Sequence, residues 1–317
     1  MTWLVTGGAG YIGAHVAGAL GAAGAPVVIL DDLSTGDPRR IPAGVPLLVG
    51  DAGDPATIRD VLHRHRITGV MHLAGSKSVP ESFERPQWYH RQNVTVVETV
   101  LAAMAEAGVP CLVFSSSAAV YGRPASHSVA EDTPARPLNP YGHSKLDAER
   151  AVANSPGVSW IALRYFNAVG AAADHLGDRG TTNLLPRVFH AVRTGEPLTV
   201  AGTDLSTADG TAVRDYVHVA DIAAAHVAAA SAVGSQRRAR VYNAGTGTGH
   251  SVLDVIDAVE RVTGAAVPWI AGPPRAGDPA SVIADVTRIG AELGWKARHI
   301  LDDAVRSAWR CSSAGSP

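Results

Sequence analysis

Tyr141 and Lys145 stand four residues apart in the segment Pro-Tyr-Gly-His-Ser-Lys at 140–145. On an α-helix that spacing puts both side chains on one face, where an ammonium beneath a phenol favours its ionised form. A phenolate near neutral pH can act as a general base. The pair alone is a weak signal, because Tyr and Lys meet at this spacing by chance in many proteins, so its meaning rests on what surrounds it. Upstream, Ser115-Ser116-Ser117 closes the apolar run Cys111 to Phe114, and three hydroxyls cluster at a strand carboxyl end, where such ends meet a crevice.

A second constellation is Gly7-Gly8-Ala9-Gly10-Tyr11-Ile12-Gly13. It sits between a short β-prone run, Thr2 to Thr6, and a helical pattern through His15, Val16, Ala19 and Leu20 that stops at Gly24. Strand, glycine turn and helix in that order make a phosphate-binding unit. One glycine closes the turn, one admits a pyrophosphate to the backbone, one lets helix pack on strand, and the amides at the helix start face the anion. Val27 to Leu30 then reads as a strand ending in Asp31-Asp32. A carboxylate there accepts hydrogen bonds from a ribose and repels a 2′-phosphate, which favours NAD over NADP; the plainer alternative is that Asp31 only begins a turn.

Elements that would carry these groups alternate along the chain. Pro46 to Val49 is a third strand, closing on Gly50-Asp51-Ala52, and Val70 to Leu73 a fourth, ending Ala74-Gly75-Ser76-Lys77, with Lys77 facing either a phosphate or water. Gln87 to Glu106 is a long helix carrying Asn93, and Ser128 to Pro140 a polar, proline-rich loop. Ser159 to Leu163 is a sixth strand, leading into Arg164-Tyr165-Phe166-Asn167. Strands alternating with helices predict a doubly wound parallel sheet whose carboxyl ends meet at one crevice.

Composition narrows the partners. With 27 basic against 29 acidic residues among 317, the chain has no net field to gather nucleic acid or an anionic membrane, so phosphate recognition must be local. Hydrophobic residues make up 46%, enough for a sizeable core. Cys111 and Cys311 are the only cysteines, and no His/Cys cluster has metal-ligand spacing, so no metal and a reducing compartment are expected. The strand-like start and the lack of any long apolar run point to the cytoplasm. His63 to Arg66 reads as a solvated helix end. Arg237 to Arg240 reads as a surface loop before a strand at Val241 to Asn243, and Ser312 to Pro317 as a frayed tail.

Taken together, Thr-Gly-Gly-Ala-Gly-Tyr-Ile-Gly at 6–13, Asp-Asp-Leu at 31–33, Leu-Ala-Gly at 73–75, Ser-Ser-Ser-Ala-Ala-Val-Tyr-Gly at 115–122, Pro-Tyr-Gly-His-Ser-Lys at 140–145, Arg-Tyr-Phe-Asn at 164–167, Asp-Gly-Thr-Ala-Val-Arg-Asp-Tyr-Val-His-Val at 209–219 and Arg-Ala-Gly-Asp at 275–278 resemble the extended short-chain dehydrogenase/reductase superfamily. Within it the chain is most similar to the UDP-glucose (UDP-galactose) 4-epimerase family, up to about Trp309. The resemblance implies an α/β fold: a Rossmann-like NAD-binding domain at 1–167 and a smaller α/β lobe for a nucleotide sugar at 168–317, some segments of which return to the first domain. It also implies a homodimer, paired through the helix at 87–106 and the helix that begins at Tyr141.

The implied reaction is epimerisation at sugar C4. Tyr141 as phenolate takes the 4-hydroxyl proton while hydride passes to NAD, and hydride returns to the other face of the 4-keto sugar. Lys145 would lower the Tyr141 pKa and hold the nicotinamide ribose, with Ser117 near the reacting oxygen. The cofactor would rest on Gly7, Gly10, Tyr11, Ile12, Gly13, Asp31, Asp32, Asp51, Ala52, Leu73, Ala74, Gly75, Lys77, Asn93, Ser115 and Tyr165, besides Tyr141 and Lys145. The substrate would meet Lys77, Ser117, Tyr141, Phe166, Asn167, Asn183, Leu184, Thr199, Ala201, Arg214, Tyr216, Arg275, Asp278 and Val282. For the two arginines the competing reading is surface pairing with Asp215 or Asp278.

Related dehydratases carry Thr-Asp-Glu where this chain has Ser117-Ala118-Ala119, so elimination lacks its proton carriers. The stretch Asn167-Ala168-Val169-Gly170-Ala171 also differs from that of the UDP-glucuronate enzymes and points to a neutral hexose. Two departures bear on substrate: Ala201 removes an aromatic wall near the base, and Val282 replaces a bulkier residue and leaves room for an N-acetyl group. Alternatives are a 4-epimerase for another nucleotide sugar, such as UDP-glucuronate or a non-uridine nucleotide, a net NAD-dependent oxidoreductase, and a non-catalytic binding protein.

Overall fold

Aliphatic and β-branched runs with no polar face are the signature of strands covered on both sides. In the computed structural model, which describes residues 1–235, 238–275 and 278–313, these runs form one seven-stranded parallel sheet. Its spatial order is Ala239–Ala244, Ser159–Tyr165, Cys111–Ser117, Gly69–His72, Trp3–Thr6, Val27–Asp31 and Leu47–Val49. Winding reverses between Trp3–Thr6 and Gly69–His72, and ligands of such sheets bind outside the strand carboxyl ends at that point.

Successive residues of the central strand serve opposite layers. Leu4 joins Val28, Val70, Leu112 and Ala162 under the helices Pro55–Arg64, Val96–Ala107 and Pro140–Ala153. Val5 joins Ile29, Met71, Val113 and Ile161 under Tyr11–Ala22 and Val219–Ser235. The last of these helices and the edge strand Ala239–Ala244 come from the second half of the chain, so the large sheet is built from both halves.

A second sheet has Gly249–His250, Val213–His218, Ser281–Ala284 and Ser128–Val129 in order, with Asn167–Val169 also paired to Val213–His218. Leu198–Ala201 and Trp269–Gly272 form a separate parallel pair. The stretch 128–140, expected to be loop throughout, therefore opens with two residues of strand, held where Ile283 N donates to His127 O at 2.8 Å and Asp285 N to Val129 O at 2.8 Å. Two residues carry no readable alternation.

Other elements also depart from expectation. The helix expected at 87–106 is Pro86–His90 and Val96–Ala107 joined by a π turn, Arg91–Thr95, and such wide turns recur at functional sites. The edge strand begins inside the basic stretch expected as a loop, with Ala239 and Arg240 in the strand and Arg237 outside the described residues. Ser312 and Ser313 end the helix Leu301–Ser313, while residues 314–317, and Ala276 and Gly277 of the Arg-Ala-Gly-Asp motif, lie outside the described residues.

A buried ion pair fastens the helix Pro140–Ala153 to the sheet. Arg164 Nη2 donates to Glu149 Oε2 at 2.7 Å and Arg164 Nε to Glu149 Oε1 at 2.9 Å, with both side chains 7% exposed. Ser116 Oγ also donates to Glu149, and Arg164 Nη1 to the Glu131 carbonyl at 3.2 Å. Arg164→Met leaves the Glu149 carboxylate buried and uncompensated, and we expect a stability loss of about 3–5 kcal/mol. A urea midpoint equal to that of the parent would show that the pair does not anchor the helix.

Candidate active site

Six strand ends of the large sheet open onto one cleft of about 2680 Å³. That is well beyond the roughly 300–1,000 Å³ that encloses a drug-sized molecule, so two ligands can share it.

At one end Gly7, Gly10, Tyr11, Ile12 and Gly13 line the wall. A Cβ on Gly13 would lie 2.1 Å from the Gly7 carbonyl oxygen, and one on Gly7, which has φ +70, would lie 2.7 Å from Ala74 N. Only glycine fits this turn, and the first amides of the helix Tyr11–Ala22 have no acceptor within the helix. Asp31 accepts from Ala9 N and Leu33 N, both at 2.9 Å, and lines the cleft. Burial raises its carboxyl pKa despite the two amides. Each oxygen keeps a lone pair for a ribose hydroxyl. Asp32, Asp51, Ala52, Leu73, Ala74, Gly75 and Lys77 continue the wall, and Ser115 and Tyr165 line it further along. Free helix-start amides, a cradle that excludes Cβ atoms and a ribose-facing carboxylate fit a dinucleotide.

Asn93 does not line the cleft. It is 1% exposed and spends its amide internally: Oδ1 accepts from Ser76 N at 2.8 Å, and Nδ2 donates to Ser76 O at 3.0 Å and to Ser144 Oγ at 2.9 Å. The π turn thus makes Asn93 a clamp between the 73–77 loop and the helix that carries Tyr141. A Cβ on Gly75 would lie 2.7 Å from Asn93 Oδ1, so the clamp requires glycine there.

The middle of the cleft holds the Tyr-Lys pair. Asn139 caps its helix by accepting from Gly142 N at 2.8 Å, and Pro140 occupies the first turn, where its missing N–H costs nothing. Ser117 Oγ accepts from Ala119 N at 3.2 Å, which leaves its proton free to point toward the Tyr141 phenol, whose pKa Ser117 lowers.

The electrostatics differ from the simple expectation. Burial raises the Tyr141 pKa, and the opposing influence is Ser117, not Lys145. Lys145 Nζ donates instead to the Ser115 carbonyl at 3.0 Å, and burial lowers its own pKa to about 8, with Glu149 opposing. In the protein by itself the phenol stays protonated and the ammonium is easily lost.

At the other end Phe166, Asn167, Asn183, Leu184, Thr199, Arg214, Tyr216, Arg275, Asp278 and Val282 line the cleft. Ala201 does not; it pairs with Gly272 in the two-stranded sheet. Arg214 is ion-paired with Asp278, as the surface reading anticipated, yet both face the cleft; Asp215 is buried and holds the turn at Thr246 and Gly247. Asn183 Nδ2 donates to Asp178 at 2.6 Å. Arg40, Arg179, Ser76 and Asn139 also line the cleft and went unnoticed in the sequence, where nothing periodic marks them. No group of His, Cys, Asp or Glu suited to a metal occurs among the described residues.

A doubly wound sheet with a glycine cradle at its switch point and a Tyr-Lys pair in the same crevice defines a nucleotide-cofactor-dependent α/β enzyme. The chain belongs to the NAD dependent epimerase/dehydratase family, whose model matches residues 3–245. It is 44% identical to a UDP-glucose 4-epimerase of Azospirillum brasilense, covering 96% of this chain and 90% of that one. With a UDP-glucose 4-epimerase of Lactobacillus helveticus it shares 40% identity over 98% and 96% of the two chains. Among solved structures, the UDP-glucose 4-epimerase from Stenotrophomonas maltophila with bound NAD and formylated UDP-arabinopyranose superposes with a TM-score of 0.95 at 41% identity, covering 99% and 98%.

The pKa directions make a spectroscopic prediction. In cofactor-free protein the Tyr141 phenol titrates above its ordinary value of about 10. Ultraviolet titration of the parent against Tyr141→Phe reads that single phenol; an ionised Tyr141 at about pH 8 without cofactor would contradict the assignment.

Proposed function

We propose that the protein is an NAD-dependent nucleotide-sugar 4-epimerase interconverting UDP-glucose and UDP-galactose. The observation that carries this reading is that Ser117, Tyr141 and Lys145 line the same cleft as the glycine cradle. Tyr141 accepts the proton of the sugar 4-hydroxyl and gives one back. Ser117, its own oxygen steadied by Ala119 N, donates to the anion. When bound, NAD accepts the C4 hydride and returns it, and the positive charge of its oxidised ring favours an anion nearby. Lys145 adds a second charge below about pH 8 and loses it above. Ala118 and Ala119 line the cleft without a carboxylate, which fits epimerisation and not elimination.

Within this reading, residues 1–167 chiefly hold the dinucleotide and 168–317 the nucleotide sugar. Arg214 and Arg275 would exchange their present surroundings for the sugar diphosphate, to which guanidinium groups offer forked donors. Val282 is 7% exposed, lines the cleft and is smaller than the bulky residue it replaces in relatives, so acetylated UDP-hexosamines fit as well. We place the enzyme in the cytoplasm; among the described residues no helix is long and apolar enough to cross a membrane. We further propose a homodimer through the helices Val96–Ala107 and Pro140–Ala153, checked by sedimentation.

Conversion of UDP-galactose to UDP-glucose without accumulating NADH tests the reaction against net oxidation. Tyr141→Phe should lower kcat by about 10²–10⁴-fold with KM little changed; undiminished turnover would sink the mechanism. Val282→Tyr should lower kcat/KM for UDP-N-acetylhexosamines while sparing UDP-hexoses, and an equal preference in both proteins would remove the acetyl pocket.

A further inference from the structure

Arg40 ends the short 3₁₀ turn Pro38–Arg40, only 5% exposed, and borders the cleft beside the glycine turn. Its Nη2 donates to the Gly177 carbonyl at 2.8 Å, while its Nε–H is buried without an acceptor. Among the described residues no carboxylate reaches it within ion-pair distance. The nearby acids are engaged elsewhere: Asp37 pairs with Arg39 at 2.9 Å and Arg179 at 2.6 Å, and Asp178 accepts from Gly180 N at 2.9 Å and Asn183 Nδ2 at 2.6 Å. A guanidinium taken out of water with an open donor and no direct ion pair, steadied only by the longer-range charges of Asp37 and Asp178, is costly to keep.

Its surroundings show what would offset that cost. Arg40 acts electrostatically on Tyr11 and His15, on the first turns of the helix whose amino-terminal amides face the cleft. A second cation, Lys77, has its Nζ 5.8 Å from the centre of the Tyr11 ring. Two cations therefore flank Tyr11 where the helix already favours an anion. Arg214 and Arg275, also in the cleft, belong to the second-half elements and in the proposed function serve a different diphosphate.

We propose that Arg40 is an anion-binding residue of the cleft, which takes a phosphoryl oxygen of the dinucleotide pyrophosphate. The inference rests on reading the glycine turn as a dinucleotide site. It adds to that site a charged contact supplied by the loop after Asp31, and it gives the buried guanidinium a direct anionic partner in place of the more distant charges of Asp37 and Asp178. Gly177, from the second half of the chain, orients Arg40, so ordering of the 174–180 loop and pyrophosphate binding are coupled through one side chain.

The test compares ADP-ribose, which carries the pyrophosphate, with adenosine, which does not. Binding of each to cofactor-free protein is measured by calorimetry, or by competition where weak, for the parent, R40K and R40M. R40M should weaken ADP-ribose by about tenfold or more and leave adenosine unchanged. R40K should recover part of the loss, and the salt dependence of ADP-ribose binding should be shallower in R40M than in the parent. Equal ADP-ribose affinity in R40M and the parent overturns the proposal, and so does an equal loss for both ligands, which would make Arg40 a packing residue. If R40M fails to fold, R40Q, which keeps an amide donor without the charge, is judged by the same ratio. A parent protein that binds neither ligand would instead sink the dinucleotide reading itself.

Discussion

The buried pairing of Arg164 with Glu149 is the constraint on which the site geometry depends. Glu149 lies one helical turn beyond Lys145 and two beyond Tyr141, so whatever fixes it fixes the face that carries both. Arg164 stands at the crevice end of a central strand, and Ser116, on the neighbouring strand, shares the same carboxylate. The network continues outward. The Arg164 guanidinium lies 4.8 Å from the centre of the Tyr121 ring, Tyr121 Oη donates to Asn243 Oδ1 at 2.6 Å, and Asn243 N donates to Glu131 at 2.9 Å. Three parallel strands, the Tyr-Lys helix and the crossing into the second sheet are thereby locked in one register. A fully satisfied polar network in a low-dielectric interior is rigid, and a general base requires a rigid support.

At the open end of the same helix, Asn93, from the π turn Arg91–Thr95, clamps Ser144 to the loop at Ser76. Helix and cofactor-side loop thus move as one body, held from below by an ion pair and from the side by an amide. The π turn is what makes the second contact, because its extra residue aims Asn93 at both partners.

Desolvation then sets the charge state of the site. Burial pushes the Tyr141 phenol up and the Lys145 amine down to about 8, so both groups hold their charged forms less readily than in water. A cationic ring placed there would favour the Tyr141 phenolate and work against the Lys145 ammonium, so the two groups respond to the cofactor in opposite senses. Spacing alone cannot show this, because a helical Tyr-x-x-x-Lys pattern gives which face the two share but not what lies over it.

Much of the architecture was legible in the chain, and for a physical reason. Strands buried on both faces must be apolar throughout, and a glycine turn that excludes every Cβ must be spelled with glycines, so Trp3–Thr6, Val27–Asp31 and Gly7 to Gly13 announce themselves locally. The cleft-facing positions of Tyr141, Lys145, Ser117 and Asp31 follow from strand and helix order. The rest is set by non-local contact. The resemblance assigns Asn93 to the cofactor and Ala201 to the base, but the hydrogen bonds of Asn93 to Ser76 and Ser144 and the pairing of Ala201 with Gly272 join segments far apart in the chain. Arg40 looks like any surface basic residue until Gly177 folds over it. Sequence alone thus determined which elements form and which residue types can perform the chemistry. Tertiary structure decided which groups lose water, which donors are already spent and which buried charge has no direct ion pair, because those depend on neighbours that no local pattern records.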